Sequence, residues 1–140
     1  MKGFTLLEII IVLGIVTILA VVTLPLGVNF LKQQNLSSTT STVIATLRQA
    51  HTQAMFQKND SSFGVKFLPS SYILFQGTTY NTREAEEDIL TSIPSGISVS
   101  GIEEIVFDKR TGEPNTTGTI LIMNNTDNHS VFINEEGIIE

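Results

Sequence analysis

The sequence predicts an α+β protein in which one long N-terminal helix, transmembrane in its first half and amphipathic in its second, packs on an antiparallel β-sheet domain. Three observations predict it. Residues 9–31 carry no formal charge and are almost wholly apolar; residues 43–55 repeat their apolar positions at a helical period; and from residue 61 onward the period drops to two. Helix first and strands after, with no alternation between them, is the α+β order rather than a parallel βαβ sheet.

The apolar run comes first. As a helix rising about 1.5 Å per residue, residues 9–31 would reach about 34 Å, enough for a hydrocarbon core of about 30 Å. A cleaved secretory signal would have a shorter apolar region followed by a small-residue cleavage site. Lys2 and Lys32 flank the run on opposite sides, so basic residues alone leave its orientation open. Two residues are unusual for a plain anchor. Glu8 stands at the edge of the run, where a carboxylate facing lipid is costly and calls for a partner or for escape to the interface. Pro25 lies well inside, followed closely by Gly27, and would remove the hydrogen bond to the carbonyl of Val21. The helix either bends there or melts locally.

Residues 33–42 are polar and rich in Ser and Thr, and alone would read as a linker. The next segment argues for helix instead. Val43, Ile44, Leu47, Ala50, Ala54 and Met55 form one stripe, with Arg48, Gln49, Gln53 and Lys58 on the other side. No Pro or Gly interrupts the chain between Gly27 and Lys58, so one continuous helix is expected, ended by Asn59-Asp60.

Strands are expected at residues 63–67, 72–76, 97–99, 105–107, 119–123 and 130–133, with a short extended piece at 138–139. Turn residues separate them: Pro69 with its serines, Pro94-Ser95-Gly96, the stretch from Arg110 to Pro114, residues 124–128 and Glu135-Glu136-Gly137. Residues 82–88 form a charged insertion, expected as an exposed loop or helical turn.

Composition then narrows the chemistry. The 140 residues contain no cysteine, which excludes a disulfide scaffold, a thiolate zinc site and a cysteine nucleophile. There is no Gly-rich phosphate loop, no HExxH and no nucleophile elbow, and no enzymatic activity or cofactor is expected. His51 beside the apolar stripe and His129 in a turn read as structural or solvated. Glu84, Glu86, Glu87 and Asp88 read as a solvated surface, and Asn124-Asn125-Thr126-Asp127-Asn128 as a turn whose spacing fits no EF-hand, so no metal site is expected. Asn-x-Ser/Thr sequons begin at Asn35, Asn59, Asn115, Asn124 and Asn128. The net charge is −6. Beyond Gln33 the basic residues are Arg48, Lys58, Lys66, Arg83, Lys109 and Arg110 against thirteen acidic ones, a balance that opposes nucleic-acid binding except through a local patch.

One junction is more specific than any of these. Lys2-Gly3-Phe4-Thr5-Leu6-Leu7-Glu8, followed by the apolar run, resembles the class III signal of the type IV pilin superfamily, which includes type IV pilins and the pseudopilins of type II secretion systems. Softer matches lie downstream: Leu47-Arg48-Gln49-Ala50 with Ala54 ahead of Lys58-Asn59, then Ile105-Val106-Phe107-Asp108, Gly112, Gly118-Thr119-Ile120, Val131-Phe132-Ile133-Asn134 and Gly137. These are similar to the H-type minor pseudopilins and T-type minor pilins. An ordinary major pilin would often carry a C-terminal disulfide loop, which this chain has no cysteines to form.

The resemblance implies a structural subunit of a type IV pilus or type II secretion pseudopilus in the bacterial inner membrane, a single-pass protein with its C-terminal domain outside the cytoplasm. Prepilin peptidase would cut between Gly3 and Phe4 and methylate the new amine. The leader of three residues is shorter than leaders in the family usually are. The chain would divide into leader 1–3, transmembrane and filament-core helix 4–31, amphipathic helix 32–60 and β-rich domain 61–140. Glu8 would meet the Phe4 amine of a neighbouring subunit, turning two membrane-expensive charges into a pair. Pro25 would let the helix extend as the subunit leaves the bilayer for an extracytoplasmic filament. Partners would be other pilin or pseudopilin subunits and the inner-membrane assembly platform. Two alternatives remain: a DNA-binding minor pilin of a transformation system, and a plain single-pass anchored domain. Secretion, adhesion, motility and DNA-uptake machines share this N-terminus.

Overall fold

The computed structural model describes residues 3–21 and 30–140. The chain divides into two units, Met1–Gln34 and Asn35–Glu140. A single helix, α1 (Leu6–Met55), contributes to both. Among the described residues seven strands follow it, all in the second unit: β1 (Phe63–Leu68), β2 (Ser71–Gln76), β3 (Ile89–Ser92), β4 (Ser98–Gly101), β5 (Glu104–Phe107), β6 (Gly118–Met123) and β7 (Asn128–Ile133).

These strands form two antiparallel sheets rather than the one expected. The first has the order β3-β2-β1-β5 and the second β4-β6-β7. In the first, the β1–β2 hairpin runs from Leu68 opposite Ser71 to Phe63 opposite Gln76, while β5 takes the other edge of β1 with Val65 opposite Ile105. In the second, β6 and β7 pair from Gly118 opposite Ile133 to Met123 opposite Asn128. Ile139 returns to Ile133 as an isolated bridge, where the short extended piece was expected.

Alternation explains which faces are inward. Ile120 and Ile122 of β6 and Val131 and Ile133 of β7 are fully buried, while Leu121 and Phe132 between them are exposed. Phe63, Val65 and Phe67 of β1 join Tyr72 and Leu74 of β2 and Ile105 and Phe107 of β5 in the same core. Onto it α1 lays Leu36, Val43, Leu47, Ala50 and Ala54, so that one hydrophobic core serves the helix and both sheets. Each large side chain buried in this way is worth about 1.5–3 kcal/mol relative to exposure.

The Ser/Thr-rich stretch is helix, not linker, and it carries its own share of the core. Leu36, Thr39 and Thr40 are buried, extending the stripe two turns beyond its expected start. Burying hydroxyls is tolerable because they bond back to the helix. Thr40 Oγ1 donates to the carbonyl of Leu36 at 2.9 Å, and Ser41, Thr42 and Thr46 each donate to the carbonyl four residues earlier. At the other end the stripe stops short, since Met55 is half-exposed and Phe56 is exposed. The helix ends at Met55, before Asn59-Asp60, and left-handed backbone at Gln57, Asn59 and Asp60 turns the chain into β1.

Sheet one also has an apolar outer face. Ile73, Phe75 and Val106 form a second small cluster flanked by Leu68 and Tyr80. The insertion between β2 and β3 contributes to it as two short helical turns, Tyr80–Thr82 and Ala85–Glu87. It is pinned by Arg83, whose Nε donates to Asp88 at 2.7 Å and whose guanidinium lies 3.9 Å from the Tyr80 ring centre. The Asp88 hydrogen bond raises the Arg83 pKa further above its usual value. The charged part of the insertion is thus a helical turn with Glu84, Glu86 and Glu87 exposed, as expected.

Candidate functional site at the amino terminus

The first unit presents the motif. Gly3, Phe4 and Thr5 precede the helix, which begins at Leu6. Thr5 occupies the N-cap: its Oγ1 accepts the Glu8 N–H at 3.3 Å, and its carbonyl accepts the Ile9 N–H at 3.2 Å. Thr5-Leu6-Leu7-Glu8 therefore has the S/T-x-x-E spacing of a capping box, with an acidic side chain in the first turn where the helix dipole favours it. This local role of Thr5 was not anticipated from the sequence, although the spacing alone could have shown it. The peptide bond between Gly3 and Phe4 lies outside the helix. Phe4 is 80% exposed, and nothing lies within 4 Å of where a Gly3 Cβ would be.

Glu8 is exposed, and among the described residues its carboxylate forms no ion pair. Around it the helix has no polar face. Leu6, Leu7, Ile10, Leu13, Ile18 and Leu19 are exposed, and so is every other described side chain up to Val21. A helix that is apolar all round belongs in a larger core or in lipid, since water would leave its whole surface hydrated at a cost. Among the described residues no helical stretch is long and apolar enough to cross a membrane. The described part of the expected span, residues 9–21, would cover about 20 Å. Pro25 and Gly27, the expected break, lie outside the described residues, as do the rest of residues 22–29.

The two histidines are structural contacts of the second unit. His51 lies edge-on to Phe107, with ring centres 5.4 Å apart, and burial lowers its pKa below the usual 6.5. His129 is in β7, not in a turn, and its Nδ1 lies 3.2 Å from Thr40 Oγ1. Thr40 Oγ1 thus meets both the Leu36 carbonyl and the His129 ring.

The remaining candidates are separate from one another. In the 124–128 turn Asn124 Oδ1 accepts from the backbone N–H groups of Thr126 and Asp127 and from the Thr126 hydroxyl, which turns this oxygen inward on the loop. Among the described residues no group of three or more His, Asp or Glu is arranged to hold a metal ion. Of the basic residues, Lys66 faces Glu103 and Glu104, Arg83 faces Asp88 and Lys109 faces Asp60. Arg48 donates to the carbonyl of Ile139, tying the helix to the C-terminal bridge. Comparison with protein-family models, with curated proteins and with solved structures finds no match to this chain.

Proposed function

We propose that this chain is a non-enzymatic structural subunit, a minor pilin or pseudopilin, of a type IV pilus or type II secretion pseudopilus. In this reading it is held in the bacterial inner membrane by its N-terminal helix, cut by prepilin peptidase between Gly3 and Phe4, and assembled by bundling that helix with those of other subunits. The observation that carries the proposal is the helix of the first unit, apolar on every side and exposed along its described length, directly preceded by the motif. Such a surface requires a non-aqueous environment, and a bilayer before assembly and a helix bundle after it both supply one. The non-helical Gly3–Phe4 bond supports processing, because a protease needs extended backbone at the bond it cuts.

Glu8 takes two roles in turn. In the single chain it complements the helix N-terminus; in the assembly it pairs with the cleaved amine of a neighbour. Pro25 permits the helix to extend on leaving the bilayer. The test is incorporation: in cells assembling the filament, Glu8→Ala is expected to be cut as well as the parent chain but to enter filaments poorly. Normal incorporation of Glu8→Ala would refute the pairing. Glu8→Gln, which keeps size and hydrogen bonding but not charge, separates pairing from packing.

A further inference from the structure

The two sheets of the second unit part company at one point. The β1–β5 ladder runs to Lys66 opposite Glu104, and the Phe67 N–H then donates to the Glu103 carbonyl at 2.8 Å. Past that link the chains diverge. Leu68 continues only along β2, while the chain N-terminal to Glu103 leads into β4 of the other sheet. Between them lies a cleft of about 590 Å³, within the ordinary range for binding sites. Phe67, Leu68, Val99 and Ile102 give it apolar walls.

One side of this cleft is a strand edge. Among the described residues β4 is paired on one side only, with β6, from Ser98 opposite Met123 to Gly101 opposite Ile120, and it ends its sheet. A strand edge of this kind carries backbone donors and acceptors that another extended chain can meet. Ser98, Val99 and Ser100, at about 3.4 Å each, offer a run of about 10 Å before Gly101, whose φ of +100° turns the backbone out of the extended form.

The charge at the cleft is uneven. Lys66 lies 3.7 Å from Glu104 and 3.6 Å from Glu103. Glu104 is further held by the Tyr80 N–H, which donates to its second oxygen at 2.9 Å. One lysine therefore answers two carboxylates, and Glu103, with its side chain 85% exposed, is the surplus charge.

We infer that the cleft between the β1–β2 tip and β4 is a docking site for an extended, basic segment of a partner protein. The segment adds as a strand to β4, sets apolar side chains on Phe67, Val99 and Ile102, and directs a Lys or Arg at Glu103. The inference stands on the second unit alone and does not depend on filament assembly.

The probe is a capped six-residue peptide alternating valine with lysine and threonine, titrated into the full-length, isotope-labelled protein in detergent micelles. Amide shifts of Ser98–Gly101 and Leu68 are expected to move together and to saturate. Glu103→Gln, a change at an exposed side chain, is expected to weaken binding about two- to fivefold, the range of one partly exposed ion pair. The same peptide N-methylated on alternate residues, unable to make the strand hydrogen bonds, is expected not to bind. The proposal is overturned if no shifts appear at millimolar peptide, if they map elsewhere, if the N-methylated peptide binds equally, or if Glu103→Gln leaves the affinity unchanged.

Discussion

The imidazole of His51 meets the ring of Phe107 edge-on, with centres 5.4 Å apart and planes at 73°, and so ties the last turns of α1 to β5. Two glycines make room for it. A Cβ at Gly112 would come 2.6 Å from His51 Nε2, and one at Gly137 would come 2.8 Å from His51 Cδ2. Both have positive φ, +74° and +77°. The loop before β6 and the turn after β7 therefore close on one ring, through backbone that only glycine adopts without strain.

This packing makes stability depend on pH. Burial disfavours the charged imidazole, so the folded pKa of His51 lies below its unfolded value of 6.5. A depressed pKa means the unfolded chain binds the proton more readily. The contribution is complete above pH 6.5 and is lost as the pH falls through the folded pKa. Urea titrations of the full chain in detergent should show the midpoint falling between about pH 7 and pH 5, with a shallower fall in His51→Gln.

Gly112→Ala should destabilise through both strain and overlap. Left-handed backbone costs a non-glycine residue about 1–2 kcal/mol, and the overlap with His51 and Met55 adds about 1–3 kcal/mol. Gly96→Ala isolates the first effect, since Gly96 has φ +85° with nothing within 4 Å of the added carbon. In chemical denaturation the Gly112 variant should lose clearly more stability than the Gly96 variant. Equal losses would mean that the ring is not confined as described.

Thr40→Val tests the contact between helix and second sheet. It keeps shape but removes the hydroxyl that reaches the Leu36 carbonyl and meets His129 Nδ1. The expected cost is about 1–2 kcal/mol, since a partly buried imidazole nitrogen is left without its partner. Because His129→Ala removes the same contact from the other side, the double variant should cost less than the sum of the two single ones.

How far the sequence was legible follows from where side chains carry periodic information. The β6 and β7 positions alternate cleanly because one face is core and the other is water, so Ile120, Ile122, Val131 and Ile133 mark their strands directly. β2 shows no such alternation. It is buried on both faces, with Tyr72 and Leu74 in the main core and Ile73 and Phe75 in the outer cluster. Its apolar run and flanking turn still revealed it. β3 was missed because it is a short edge strand with Ile89 and Leu90 both exposed, which leaves no pattern to read. The division into two sheets was invisible for a different reason: pairing partners are set by tertiary register, which no single strand encodes.

The candidate site divides in the same way. Gly3, Phe4 and Glu8 stand out because their motif is contiguous, and the capping role of Thr5 follows from its spacing to Glu8. The Ser/Thr stretch was readable as helix only from its neighbours, because hydroxyls count as polar in any hydropathy reading and the burial of Thr39 and Thr40 left no mark in the pattern. Their bonds to the carbonyl one turn back consume that polarity, and only the folded helix reveals it. The cleft beside β4 had no sequence signal, since the segments that make it, Lys66–Pro69 and Ser98–Glu103, are far apart in the chain.

The central claim is that the chain is a processed filament subunit, and the intact mass of the protein tests it most directly. The protein would be isolated from cells that carry prepilin peptidase and from cells that lack it. Loss of Met1-Lys2-Gly3 and gain of one methyl group on Phe4 are expected in the first strain only. An identical, unprocessed mass in both strains would contradict the claim and leave a single-pass anchored domain.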